Sequence, residues 1–187
     1  MKKINLLLAV LFIAFTAMAQ QVPVNSSNSE LKWTGKKVTG EHWGFIKLKD
    51  GSLKIEDNKI IGGEFNIDMI SITCSDLEDA EWNEKLIGHL KSDDFFSVEK
   101  YPVANLKITE GSVFKNGEAK VNGKLTIKGI TKPISFMVKE TEKAYMASIS
   151  VDRTLYEVRY GSGKFFDNLG DNMIDDEFIL DVKIMVQ

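Results

Sequence analysis

One cysteine, two histidines and three prolines are all that 187 residues supply of those types. A single thiol excludes an intramolecular disulfide, so Cys74 is expected as a buried, inert side chain and stability must come from the core. His42 and His89 show no H-x-x-x-H or H-E-x-x-H spacing, and no metal site is expected from them. The bland reading packs His42 near Trp43 and lets His89 hydrogen-bond near a helix end. The chain also lacks a G-x-S-x-G elbow: Gly161-Ser162-Gly163 falls one residue short, and no helix follows it to hold a dinucleotide phosphate. Basic and aromatic residues do not cluster on any one element, which excludes nucleic acid as a partner.

Long apolar runs are missing too, apart from the N-terminus. Met1-Lys2-Lys3 precedes an apolar stretch through Phe15 that is too short to span a bilayer, and Ala17-Met18-Ala19 supplies a small-x-small cleavage pattern. Residues 1–19 therefore read as a bacterial signal peptide cut after Ala19, and the product is expected in the periplasm or secreted. No cysteine follows the apolar stretch, so a lipid-modified N-terminus is excluded, and no stable membrane insertion is expected after cleavage. Loss of Lys2 and Lys3 takes the formal net charge from −3 to −5.

What the chain does have is alternation. Residues 20–30 read as a flexible N-terminal segment, and residues 31–187 as one domain built on a period of two. In Glu118 to Gly129 the side chains of Ala119, Val121, Leu125 and Ile127 share one face, with Lys120, Asn122, Lys124 and Thr126 on the other. The same period recurs around Trp33, Ile67, Leu106 and Phe136 and from Phe178 to Val186, giving about eight to ten strands. Asp50-Gly51, Asp57-Asn58, Asn116-Gly117 and Lys128-Gly129 read as turns, and Pro133 as a strand start or an edge. Long stretches such as Lys59 to Thr73, joined by hairpins, favour an up-and-down barrel over a sandwich.

One segment breaks the period. Trp82, Leu86 and Leu90 lie four apart, which predicts a helix over Asp79–Leu90 with a capping box at Ser75-Asp76-Leu77-Glu78. Asp93 and Asp94 after it are read as capping a Phe95-Phe96 turn, and Asp152-Arg153 as an ion-paired sheet rim. The large buried-face residues Trp33, Phe65, Ile67, Met69, Leu106 and Leu125, with Ile127, Phe136, Val138, Ile149 and Val182, either fill the interior or line a slot. The alternation leaves that choice open.

The stretches "HLKSDDFFSVEKYP" (His89 to Pro102), "VNGKLTIKGITKPISF" (Val121 to Phe136) and "VDRTLYEVRYG" (Val151 to Gly161) together resemble the YceI-like family of bacterial lipid-binding proteins. The resemblance runs in order from Trp33 to the C-terminus. It implies an all-β, extended, eight-stranded antiparallel lipocalin-like β-barrel with one short helix covering a barrel end. It also implies a periplasmic protein without catalytic machinery, whose interior holds a long-chain apolar lipid: a polyisoprenoid, a quinone or a fatty-acid-like amphiphile. No cofactor is expected beyond such a lipid. On this reading the buried-face residues named above line the slot, Trp82, Leu86 and Leu90 lie over its mouth, and Phe95 and Phe96 tuck inward. Lys37 and Arg153 are the candidates to meet a head group. Many relatives carry a lysine-histidine pair where this chain has Lys36-Lys37-Val38.

Two rival readings remain at this stage. One is a solid-cored stress-protective or protein-interaction module that works through its outer face. The other is an enzyme acting on a buried lipid with His42 or Asp94 as base, for which the sequence shows no paired acid and base. A homodimer is left open, with no exposed apolar stripe to argue for it.

Overall fold

The computed structural model describes residues 20–186, so the expected signal peptide lies outside the described residues. Eight strands follow in chain order: β1 Gln20–Lys37, β2 Gly40–Glu56, β3 Lys59–Asp68, β4 Val103–Gly111, β5 Glu118–Ile127, β6 Ile130–Glu140, β7 Ala144–Asp152 and β8 Ile174–Val186. Each pairs antiparallel with its sequence neighbours, and β8 returns to pair with β1, closing an up-and-down barrel. Among the described residues the one α-helix, α1 Ala80–Lys91, lies in the long connection from β3 to β4.

The expected alternation is the barrel's inside and outside. In β5, Ala119, Val121, Leu125 and Ile127 are buried while Glu118, Lys120, Asn122 and Lys124 are exposed. Hairpins close where positive φ is available: Asp57-Asn58, Asn116-Gly117 and Lys128-Gly129 all adopt left-handed backbone, the geometry that matches strand twist. Asp50-Gly51 does not turn. It lies inside β2 beside a register slip at Leu48/Asp50, where the Phe65 ring covers Gly51 so closely that an added Cβ would sit 2.6 Å from it. A bulge and a hairpin use the same residue types, so spacing alone misassigned this site.

Three other expectations change. Residues 20–30 form the outer part of β1, with Val24 buried and Ser29 Oγ accepting from Met185 N–H at 3.0 Å. The expected strand from Lys59 to Thr73 ends at Asp68, whose side chain caps a 3-10 turn at Met69–Ser71. The helix start is set by Asp79, which accepts from Trp82 N–H at 3.0 Å, and not by a box at Ser75. Pro133 lies within β6, paired to Lys124 of β5 and with no ladder partner on its other side.

Candidate functional site

The barrel is hollow. A cavity of about 270 Å3 occupies the end under α1, and a second of about 80 Å3 lies deeper. Ile67, Leu125, Val151 and Leu180 border both, so the two are chambers of one apolar interior set end to end. This structure therefore departs from a solid-cored module.

Outer chamber walls come from inward positions of the strands and from the connection that covers them. Trp33, Ile67, Met69, Leu125 and Ile127 line it, together with Leu86 and Leu90 of α1 and with Phe95 and Phe96. The inner chamber is lined by Phe65, Leu106, Phe136, Val138, Ile149 and Val182, again with Ile67 and Leu125. Each of these was singled out from sequence, and the structure brings them together. Alternation identifies a face but not which end of the barrel a residue occupies, so Ala104, Leu180 and Ile46 went unnamed although they share the period. Ile72 and Ile174 went unnamed because loop and strand-start positions carry no periodic signal.

Trp82 is the exception, 61% exposed with the Lys85 ammonium 4.5 Å from its ring centre. A spacing of four drifts by about 40° per step on a helix of 3.6 residues per turn, so Trp82 stands about 80° from Leu90. The stripe therefore leaves the cavity at its N-terminal end, and Leu86 and Leu90, with His89 between them, form the helical part of the cover. Beyond α1 the chain reverses through backbone bonds: Phe95 N–H and Ser97 N–H donate to Ser92 O, and Phe96 N–H to Leu90 O. This fold presses Phe95 and Phe96 edge-to-face with centroids 5.1 Å apart. The aspartates were expected to hold that turn with their side chains, but Asp93 instead pairs with Lys100 at 2.7 Å, out in solvent.

Polar groups gather at the rim of the outer chamber: Lys36, Lys37, His42, His89, Asp175 and Glu177. Lys37 is exposed there. Arg153 also borders the chamber, yet it is 2% exposed and bonded into the fold. Its Nε donates to Asp175 O (2.9 Å), Nη1 to Val158 O (2.8 Å) and Tyr160 O (2.9 Å), and Nη2 to Ile174 O (3.0 Å). Four of the five N–H donors of a guanidinium are thus spent on backbone carbonyls. Burial pushes its pKa below the ordinary arginine value, opposed by Asp176, Asp152 and Asp175. The expected exposed rim pair is in fact an internal brace for the loop between β7 and β8. The sequence could not show this, because the partners are backbone groups.

A second polar cluster lies beside the rim. His42, Cys74 and Asp76 each offer a ligand-type atom within 4.8 Å of the others, although His42 and Asp76 stand 34 positions apart in sequence. The group is joined as a clamp. Asp76 Oδ2 meets His42 Nδ1 at 2.7 Å, while Oδ1 accepts from Trp43 N–H at 2.7 Å and from the Cys74 thiol at 3.2 Å. Burial pushes the Cys74 thiol pKa up, which keeps it protonated. Burial also pushes the Asp76 carboxyl up, but the bonds from Trp43, His42 and Cys74 outweigh it and hold the group below its usual range. His89 does not hydrogen-bond through its ring at the helix end as expected; it stacks edge-on against Tyr160 at 4.3 Å and Phe95 at 5.6 Å.

Comparison with known proteins agrees with this geometry. The YceI-like domain matches residues 23–186. The UPF0312 protein of Photorhabdus laumondii is 38% identical over 93 residues, 49% of this chain and 45% of that protein. The matched stretch thus spans about half the length of such curated relatives. Burkholderia cenocepacia BcnA superimposes with a TM-score of 0.68 at 20% identity, over 88% of this chain and 99% of that one. A polyisoprenoid binding domain from Saccharophagus degradans does so with a TM-score of 0.58 at 14% identity, over 91% and 99%. At those identities the likeness speaks to the fold, a closed eight-stranded barrel.

Proposed function

The chain belongs to the YceI-like family, and from that premise we propose that it binds and carries a long-chain apolar lipid inside its barrel, in the periplasm. Its task is binding and not catalysis. One observation carries the reading: an apolar interior of two adjoining chambers, covered by Leu86, Leu90, Phe95 and Phe96 and rimmed by polar groups at the outer end. Among the described residues, no helix is long and apolar enough to cross a membrane.

The mechanism is burial. Each methylene moved out of water contributes about 0.8 kcal/mol, so roughly ten of them supply about 8 kcal/mol, the scale of a micromolar Kd before ordering costs. The chambers take a polyprenyl or acyl tail, and Lys37 at the rim meets the head group, with Arg153 bracing the loop beneath it. Native mass spectrometry of protein purified from its own source tests this, with the delipidated chain then titrated with a polyprenol, a quinone and palmitate. A co-purifying lipid mass and one-to-one rebinding are expected. Phe65→Asp and Phe136→Asp should abolish retention while leaving secretion intact. Protein that carries no lipid and binds none of the three probes would overturn the reading.

A further inference from the structure

The barrel wall is not equally closed all round. β5 and β6 stay in register from Glu118↔Lys139 to Ile127↔Ile130, and β7 and β8 from Ala144↔Met185 to Asp152↔Glu177. Between β6 and β7 the ladder holds only the two pairs next to the hairpin, Lys139↔Met146 and Glu140↔Tyr145. From Val138 and Ala147 onward the strands part. Pro133, which has no N–H to give a ladder, lies in the separated stretch of β6. The separation is bounded by the hairpin at one end and by the 3-10 turn Arg153–Tyr156, packed against β6, at the other.

Side-chain exposure is raised at the same gap. Ile134, Phe136, Tyr145 and Ala147 point inward yet are only half-buried, as are Leu180 and Val182 of the adjoining β8 and Leu106 of β4, whereas Leu53, Ile60 and Val121 are 2%, 1% and 0% exposed. Met146 sits at an outward position, 42% exposed, and still borders the inner chamber. Outside, a surface depression runs over Met137, Met146 and Ser148, and it shares Val138, Met146, Ala147 and Val182 with the inner chamber.

We propose that the β6/β7 separation is a side opening of the lipid chamber, through which an apolar chain loads and leaves sideways while its head stays at the far rim. The inference rests on the lipid-binding reading. Its occupant is a hydrocarbon or isoprenoid tail because the inward groups that flank the gap, Ile134, Phe136, Val138, Ala147 and Ile149, are apolar and belong to the chamber wall. At the hairpin Tyr145 Oη donates to Glu140 Oε1 at 3.3 Å, while Glu30, Glu118, Lys139, Asp181 and Lys183 flank the outer depression and leave the apolar path to the inward side of the gap. A tail lying in the gap would cover the half-exposed faces of Phe136 and Tyr145, which the ladder leaves open to water.

The test staples the gap. Continued register would set Met137 opposite Ser148, both exposed and outward-facing. Met137→Cys/Ser148→Cys is bridged with a short bismaleimide, and each single variant capped with a monomaleimide controls for added bulk. The unmodified chain treated alike checks that buried Cys74 stays unlabelled. Exchange of a polyene fatty acid, which brightens on leaving water, is followed by stopped flow. Bridging should slow loading and release by about tenfold or more, with capped controls unchanged. A bridged protein that exchanges at the unmodified rate overturns the side opening while lipid binding stands. If bridging instead changes oligomeric state with exchange unaltered, the free strand edges belong to a second copy and the proposal falls. Failure of the unmodified chain to take up any probe overturns the lipid reading, and the side opening with it.

Discussion

Replacing Arg153 by methionine removes four hydrogen bonds of 2.8 to 3.0 Å from a side chain that is 2% exposed. Hydrogen bonds involving a charged group contribute about 1.5–3 kcal/mol each, but they share one donor group, and some of the freed carbonyls of Val158, Tyr160, Ile174 and Asp175 will reach water. The appropriate scale is that of breaking a buried charged network, about 3–5 kcal/mol. For a chain of this size each kcal/mol moves Tm by about 2–4 °C, so Arg153→Met should melt roughly 6–20 °C lower in a circular-dichroism scan. Arg153→Lys should recover less than half of the loss, because one ammonium cannot reach carbonyls on both sides of a planar fork. A Tm within about 2 °C of the parent, with lipid affinity lost, would refute the brace and restore Arg153 as a head-group ligand.

Gly44 in β2 faces Thr73 and Cys74 so closely that an added Cβ would lie 1.9 Å from Thr73 O. Gly44→Ala should therefore displace that loop, destabilise the fold by at least about 1–3 kcal/mol, and speed labelling of Cys74 by a thiol reagent. In acid, the depressed pKa of Asp76 sets the sign: its contribution is complete above the unfolded value of about 3.9 and is lost as pH falls through the lower folded value. Tm should fall as pH drops below about 4, and Asp76→Asn should flatten the curve in that window; parallel curves would remove the clamp from the account. On α1, Trp82→Ala should change stability by less than about 0.5 kcal/mol and leave lipid retention intact. Leu90→Ala should cost about 2–5 kcal/mol and speed lipid loss, and equal effects at the two positions would refute the cover.

The barrel was legible in sequence because a period of two is a direct image of inside and outside. Ala119, Val121, Leu125 and Ile127 were assigned by pattern alone, and the left-handed Asn116-Gly117 and Lys128-Gly129 turns fixed where strands reverse. The inward residues followed from the same period, but whether they fill the interior or line a hollow depends on how far apart the walls stand, which no pattern records. Pattern failed where the deciding partner is backbone or remote. Arg153 is an internal brace because four carbonyls converge on it, and Asp76, in the connection before α1, is a clamp because His42 arrives from β2. Trp82 failed for the opposite reason: four-residue spacing is near enough to helical to suggest one face, while its drift accumulates over two turns. The parting of β6 and β7 left one trace, Pro133, read as a strand start or an edge in a barrel that closure would leave without edges.

The hollow itself bears on stability. An apolar void costs about 24 cal/mol per Å3, so a vacant 270 Å3 chamber weighs on the order of 6 kcal/mol against the folded state. Set against a typical total of about 5–15 kcal/mol that is a large term, so an apolar guest that fills the chamber should raise stability measurably. Linkage fixes the direction: a tail that binds the folded chain alone adds about 2.7 kcal/mol at a free concentration one hundred times its Kd. Delipidated protein should then melt roughly 5–11 °C below the loaded form, and Ala104→Leu, which fills part of the outer chamber, should raise the empty form toward it while weakening uptake. Equal melting of empty and loaded protein would mean that the walls collapse inward without a guest. The chambers would then be too compliant to select a chain by length.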